Sequence, residues 1–102
     1  MSNTETINNT GTKAFEQTKK PAMYAVVVHN DPYTPRDFVV EVLQKCFQKS
    51  AEEAARIMLK AHKTGVGVVS IYTLEIAETK AAIANQYSHD HGKLLLFSVE
   101  EA

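Results

Sequence analysis

Ser50-Ala51-Glu52-Glu53 follows directly on a stretch of helically spaced apolar residues and has the form of a capping box. In that arrangement a serine hydroxyl and the carboxylate three positions on satisfy each other's exposed backbone donors. A helix must start there, just where another has ended, so the two form a tight hairpin. The earlier helix carries Phe38, Val39, Val42, Leu43, Cys46 and Phe47 at helical spacing, with Arg36, Glu41, Lys45 and Gln48 mostly off that face. Thr34 as capping residue, Pro35 at the first helical position and Asp37 near the positive helix end mark its start. The second helix turns Ala54, Ile57, Met58 and Ala61 inward. It is expected to stop near Lys63-Thr64-Gly65, where glycine adopts the left-handed conformation that other residues avoid.

Strands flank the hairpin. Tyr24 to Val28 is apolar and β-branched, short enough for a strand buried on both faces, and it stops at the turn signal Asn30-Asp31-Pro32. Val66 to Tyr72 reads as a second strand. Thr73 then caps a third helix with Leu74, Ala77, Ile83, Ala84 and Tyr87 as apolar contacts, Gly92 closes it, and Leu94 to Val99 forms the last strand. The expected fold is α+β in the order βααβαβ, a small three-stranded antiparallel sheet packed with three helices. A chain of 102 residues holds one such domain. Composition shifts at Met23: residues 1–22 are dominated by Asn, Thr, Lys and Glu without apolar periodicity, so a flexible, disordered N-terminal extension is expected ahead of a folded domain over 23–102.

With 11 Lys plus Arg against 12 Asp plus Glu, the formal net charge is -1, which offers no broad basic field for nucleic acid. The single Cys46 cannot pair internally and lacks the second thiol of a zinc or redox motif. No apolar run approaches the roughly 20 residues of a membrane span, and the N-terminus lacks the apolar core of a secretory signal, so a cytoplasmic setting is expected. Catalysis has no positive support: Cys46 lies on a buried helix face, and no glycine-rich phosphate loop is present. In His89-Asp90-His91, histidines two apart point in different directions on a helix, and no further ligands accompany them, so neither metal nor cofactor is expected.

Asn30 and Asp31 are ordinary turn formers, His62 is favoured in the last turn of a helix by the negative helix end, and Met58 suits a core. From the residues alone the chain reads as an α+β binding domain. Several separated stretches carry the reading further: Asn30-Asp31-Pro32-Tyr33-Thr34-Pro35, the run FVVEVLQKCF at 38–47, MLKAH at Met58 to His62, and IAETK at Ile76 to Lys80. Together they resemble the ClpS family, bacterial adaptors that deliver substrates to the ClpAP protease. The likeness runs from about Met23 to the C-terminus in the same element order.

ClpS proteins recognise N-degrons, polypeptides whose first residue is Leu, Phe, Tyr or Trp with a free α-amino group. The resemblance implies that Asn30, Asp31 and His62 receive that group, since an ammonium has three donors and no acceptor and needs converging acceptors. It implies a pocket for the first side chain that includes Thr34, Arg36, Val39, Met58, Ala61 and Leu95. It implies a monomer that docks on the N-domain of the ClpA unfoldase through a surface including Glu75 and Lys80, with the N-terminal extension engaged during delivery. An imidazole accepts only while unprotonated, so binding through His62 is expected to weaken on acidification.

Two positions depart from the family pattern. Pro32 stands where familiar members have a second Asp, and Arg36 where they have a Met that gates the pocket. Arg36 can stack over a ring, so aromatic first residues are expected to be favoured. The alternative from architecture alone is a protein-interaction domain like the C-terminal domain of the ribosomal stalk protein, which has no acceptor cluster and no N-degron pocket.

Overall fold

Ala25, Val26, Val27 and Val28 are all buried, which requires neighbours on both sides of the strand that holds them. In the computed structural model that strand, β1 (Met23–His29), is the centre of an antiparallel sheet of order β2-β1-β3, with β2 spanning Val66–Thr73 and β3 Leu96–Glu101. Among the described residues three helices accompany the sheet, α1 (Arg36–Phe47), α2 (Ala51–Thr64) and α3 (Leu74–Asp90), in the expected order βααβαβ. The structure describes residues 21–102, so the extension expected over 1–22 lies almost entirely outside the described residues.

Val26 and Val28 join Val69, Leu95 and Phe97 in a core whose other side is supplied by the helices. α1 contributes all six expected residues, Phe38, Val39, Val42, Leu43, Cys46 and Phe47. α2 begins with the expected capping box: the Ser50 hydroxyl accepts from the Glu53 amide at 3.1 Å, and the Glu53 carboxylate accepts from the Ser50 amide at 3.2 Å. It ends on Gly65 with φ 95°, so the expected left-handed stop is present.

The start of α1 differs from expectation. Pro35, not Thr34, is the capping residue, in an extended conformation with φ -61° and ψ 144°, and the helix proper begins at Arg36. Thr34 is turned back instead, its hydroxyl donating to Asp31 Oδ2 at 2.6 Å. The Pro35 carbonyl accepts from the amides of Phe38 and Val39 in its place.

α3 also differs. The buried face is Ala77, Ala81, Ala84 and Ser88, residues small enough for the helix to lie close to the sheet, while Leu74 and Ile83, expected to point inward, are 41% and 54% exposed. Thr73 occupies the cap position but makes no side-chain cap bond. β3 starts at Leu96 rather than Leu94, because the residues before it close the helix: the Lys93 amide donates to the Ser88 carbonyl at 2.9 Å. Asn85 then ties α3 to β3, donating to the Phe97 carbonyl and accepting from its amide.

Candidate functional site

The C-terminal end of β1, the loop after it, the first turn of α1 and the last turn of α2 surround a cavity of about 350 Å³. That volume lies at the low end of small-ligand pockets, about 300–1,000 Å³. Its polar rim is Asn30 and Asp31 on the loop and His62 on α2; its apolar walls include Val39, Met58, Ala61 and Leu95. Thr34 and Arg36 line it as well, so every residue implied for ligand binding falls on one cavity.

The local chain explains this convergence. β1 must stop at Asn30, whose backbone amide donates to the Gly65 carbonyl at 2.9 Å, and this bond fastens the loop to the end of α2. Thr34 is buried, and its backbone amide and hydroxyl both bond Asp31, one at the carbonyl and one at the carboxylate, which holds the loop in a turn. From the other side, α2 approaches β2 closely. A Cβ on Gly67 would stand 2.9 Å from the Ile57 carbonyl and 3.5 Å from the Ala61 Cβ, so only glycine lets this wall of the cavity come so near the sheet.

Arg36 and His62, both exposed, meet on the cavity's lining: Arg36 Nη2 lies 2.7 Å from His62 Nε2. Val28, His29, Pro32 and Pro35 also line the cavity, and sequence reasoning did not assign them there. Val28 is a fully buried strand residue and carries no polar signal; His29, beside Asn30, is turned toward β3, its Nε2 2.6 Å from the Ser98 hydroxyl. Chemically, the arrangement suits a ligand with a cationic donor at one end and an apolar group beside it, because acceptors meet the charge while the walls exclude water.

Glu75 and Lys80 stand elsewhere. They line a second, open depression of about 650 Å³ between α1 and α3, together with the exposed side chains of Ile76 and Ile83. Lys80 donates to Gln48 Oε1 at 2.8 Å and to the Cys46 carbonyl at 3.4 Å. Burial pushes the Cys46 thiol up, away from the reactive thiolate form. Nearby, the Tyr87 hydroxyl donates to Glu41, and this bond holds the carboxylate below its usual range and the phenol above its own. The His91 ring stacks on Tyr87 with centroids 4.3 Å apart, while His89 extends outward with its imidazole largely exposed.

The family described as ATP-dependent Clp protease adaptor protein ClpS matches residues 19–98. A chain from Shewanella pealeana, named ATP-dependent Clp protease adapter protein ClpS, is 45% identical over 102 residues, all of both chains. Its namesake from Rhodospirillum centenum is 47% identical over 89 residues, 87% of this chain and 82% of the relative. Among solved structures, Agrobacterium tumefaciens ClpS2 bound to L-phenylalaninamide superposes with a TM-score of 0.79 at 40% identity, covering 81% of this chain and 100% of that one.

Proposed function

This chain belongs to the ClpS family of Clp protease adaptor proteins, and on that premise we propose that it binds polypeptides with a free N-terminal Leu, Phe, Tyr or Trp and delivers them to the ClpA unfoldase of ClpAP. The observation that carries this reading is the meeting of Asn30, Asp31 and His62 at the rim of an apolar cavity. The three supply an amide oxygen, a carboxylate and an imidazole nitrogen to the three N–H donors of an α-ammonium. Beside them, Val39, Met58, Ala61 and Leu95 receive the first side chain.

The two ends of the ligand contribute differently. Burying a Leu or Phe side chain is worth about 1.5 to 3 kcal/mol, whereas removing one partner of a buried charge pair costs about 2 to 5 kcal/mol. The ammonium therefore decides whether a chain binds, and the cavity sorts among those that do. L-Phenylalaninamide, the ligand of the Agrobacterium relative, has this combination of a free α-amino group and an apolar side chain.

Delivery uses the other end of the molecule. Exposed Ile76 and Ile83 beside Glu75 and Lys80 form a mixed apolar and charged surface on α3, which we assign to the N-domain of ClpA. Residues 1–22 then act as the segment that the unfoldase engages. The reading is tested with a peptide series that differs only in its first residue: Leu, Phe, Tyr and Trp are bound, Asp and Lys are not, and uniform affinity across the series overturns it.

A further inference from the structure

α1 begins on Arg36, where a cation faces the positive end of the helix dipole. The guanidinium turns away from it to His62, which also lines the cavity and sits in the last turn of α2, where a cation is favoured. The contact is 2.7 Å, from Arg36 Nη2 to His62 Nε2. A guanidinium has donors and no acceptor, so the imidazole presents its Nε2 lone pair to Arg36 and carries its proton on Nδ1. A neutral imidazole has one such lone pair. An α-ammonium is likewise a donor without an acceptor, so His62 accepts from Arg36 or from a ligand, and not from both.

We propose that Arg36 is a built-in competitor for the ligand's α-ammonium, holding the acceptor of His62 in the free protein and being displaced when an N-degron binds. The inference rests on reading the cavity as an N-degron site and adds a regulation of that site. Both partners of the contact are exposed, so it opens at modest cost. Apparent affinity is then the intrinsic affinity scaled by the fraction of molecules in which His62 is free. The device selects on the amine end of the ligand: a full ammonium competes with a guanidinium, whereas an acylated N-terminus brings one neutral N–H and does not.

Two measurements test it, with a Leu-initiated peptide chosen because it has no ring for Arg36 to stack on. In the first, ¹⁵N NMR of His62 in the free protein is expected to show Nδ1 protonated and Nε2 unprotonated; protonation at Nε2 overturns the proposal. In the second, Arg36→Ala is expected to bind the Leu peptide about two- to tenfold more tightly than the unaltered protein, the equivalent of one released hydrogen bond. If both proteins bind the peptide equally, or the variant binds it more weakly, the N-degron reading stands and the competition is wrong. If neither binds it, the N-degron reading itself fails, and the competition with it.

Discussion

The backbone amide of Asn30 donates to the carbonyl of Gly65 at 2.9 Å, so the loop carrying two of the rim's acceptors is fastened to the residue that ends the helix carrying the third. Gly65 holds this position with φ 95° and also donates to the Ala61 carbonyl at 2.8 Å. The geometry of the polar rim therefore depends on a residue that lines no part of the cavity.

Gly65→Ala is expected to cost about 1 to 2 kcal/mol, the penalty of a left-handed conformation on a residue with a Cβ, since nothing lies within 4 Å of where that Cβ would stand. Urea denaturation measures the loss. Peptide affinity should fall with it, because relief of the strain loosens the bond to Asn30.

Gly67→Ala acts through crowding instead. The added methyl meets the Ile57 carbonyl at 2.9 Å, so α2 must move away from β2, at a cost of about 1 to 3 kcal/mol. Because the same helix brings Met58, Ala61 and His62 to the cavity, titration with a Phe-initiated peptide should show weakened binding even where the variant remains folded.

Glu41 and Tyr87 set a pH dependence of stability remote from the cavity. The Tyr87 hydroxyl lowers the Glu41 pKa from 4.5, so the stabilisation is present above 4.5 and is lost as pH falls through the depressed value of the folded state. The same bond raises Tyr87 from 10.0, a contribution present below 10.0 and lost as pH rises through the raised value. Tyr87→Phe should flatten the acid limb of a stability-against-pH curve, measured by thermal unfolding from neutral pH to about pH 3. An unchanged acid limb in the variant would contradict this assignment.

Ile76→Asp and Ile83→Asp alter side chains that are 49% and 54% exposed, so each should change stability by no more than about 0.5 kcal/mol. Peptide binding should be unaffected. Degradation of an N-degron substrate by ClpAP should slow, because both side chains belong to the surface assigned to unfoldase docking. Full-rate degradation by the double variant would remove that assignment.

Much of this architecture is legible in the sequence, because local chemistry dictates it. The capping box at Ser50, the left-handed stop at Gly65 and the apolar period from Phe38 to Phe47 each follow from a few neighbouring residues. Legibility fails where distant contacts decide. Leu74, Ile76 and Ile83 are the large aliphatic side chains of α3, yet alanines take its inner face, because closeness to the sheet matters more there than size. Thr34 is a local case of competition instead: its side chain suits a helix cap, but its hydroxyl goes to Asp31, which is equally near in sequence.

The cavity shows the same division. Acceptors on the turn and on α2 are visible as residue types, but by themselves Asn30, Asp31 and His62 read as turn formers and a helix-end histidine; only the family resemblance groups them. Nothing local says that Arg36 bonds to His62, since the partners are 26 positions apart and meet only once the helical hairpin has folded. Val28 is illegible for a related reason: a valine inside a strand looks the same whether it faces a packed core or a cavity.

The central claim is that the rim reads a free α-ammonium, and one comparison tests it most directly. Fluorescence anisotropy is recorded for a labelled Leu-initiated peptide and for the same peptide acetylated at its N-terminus. Acetylation removes the charge and leaves acceptors unpaired, so the free peptide should bind and the acetylated one should not. Equal affinity for the two would contradict the account.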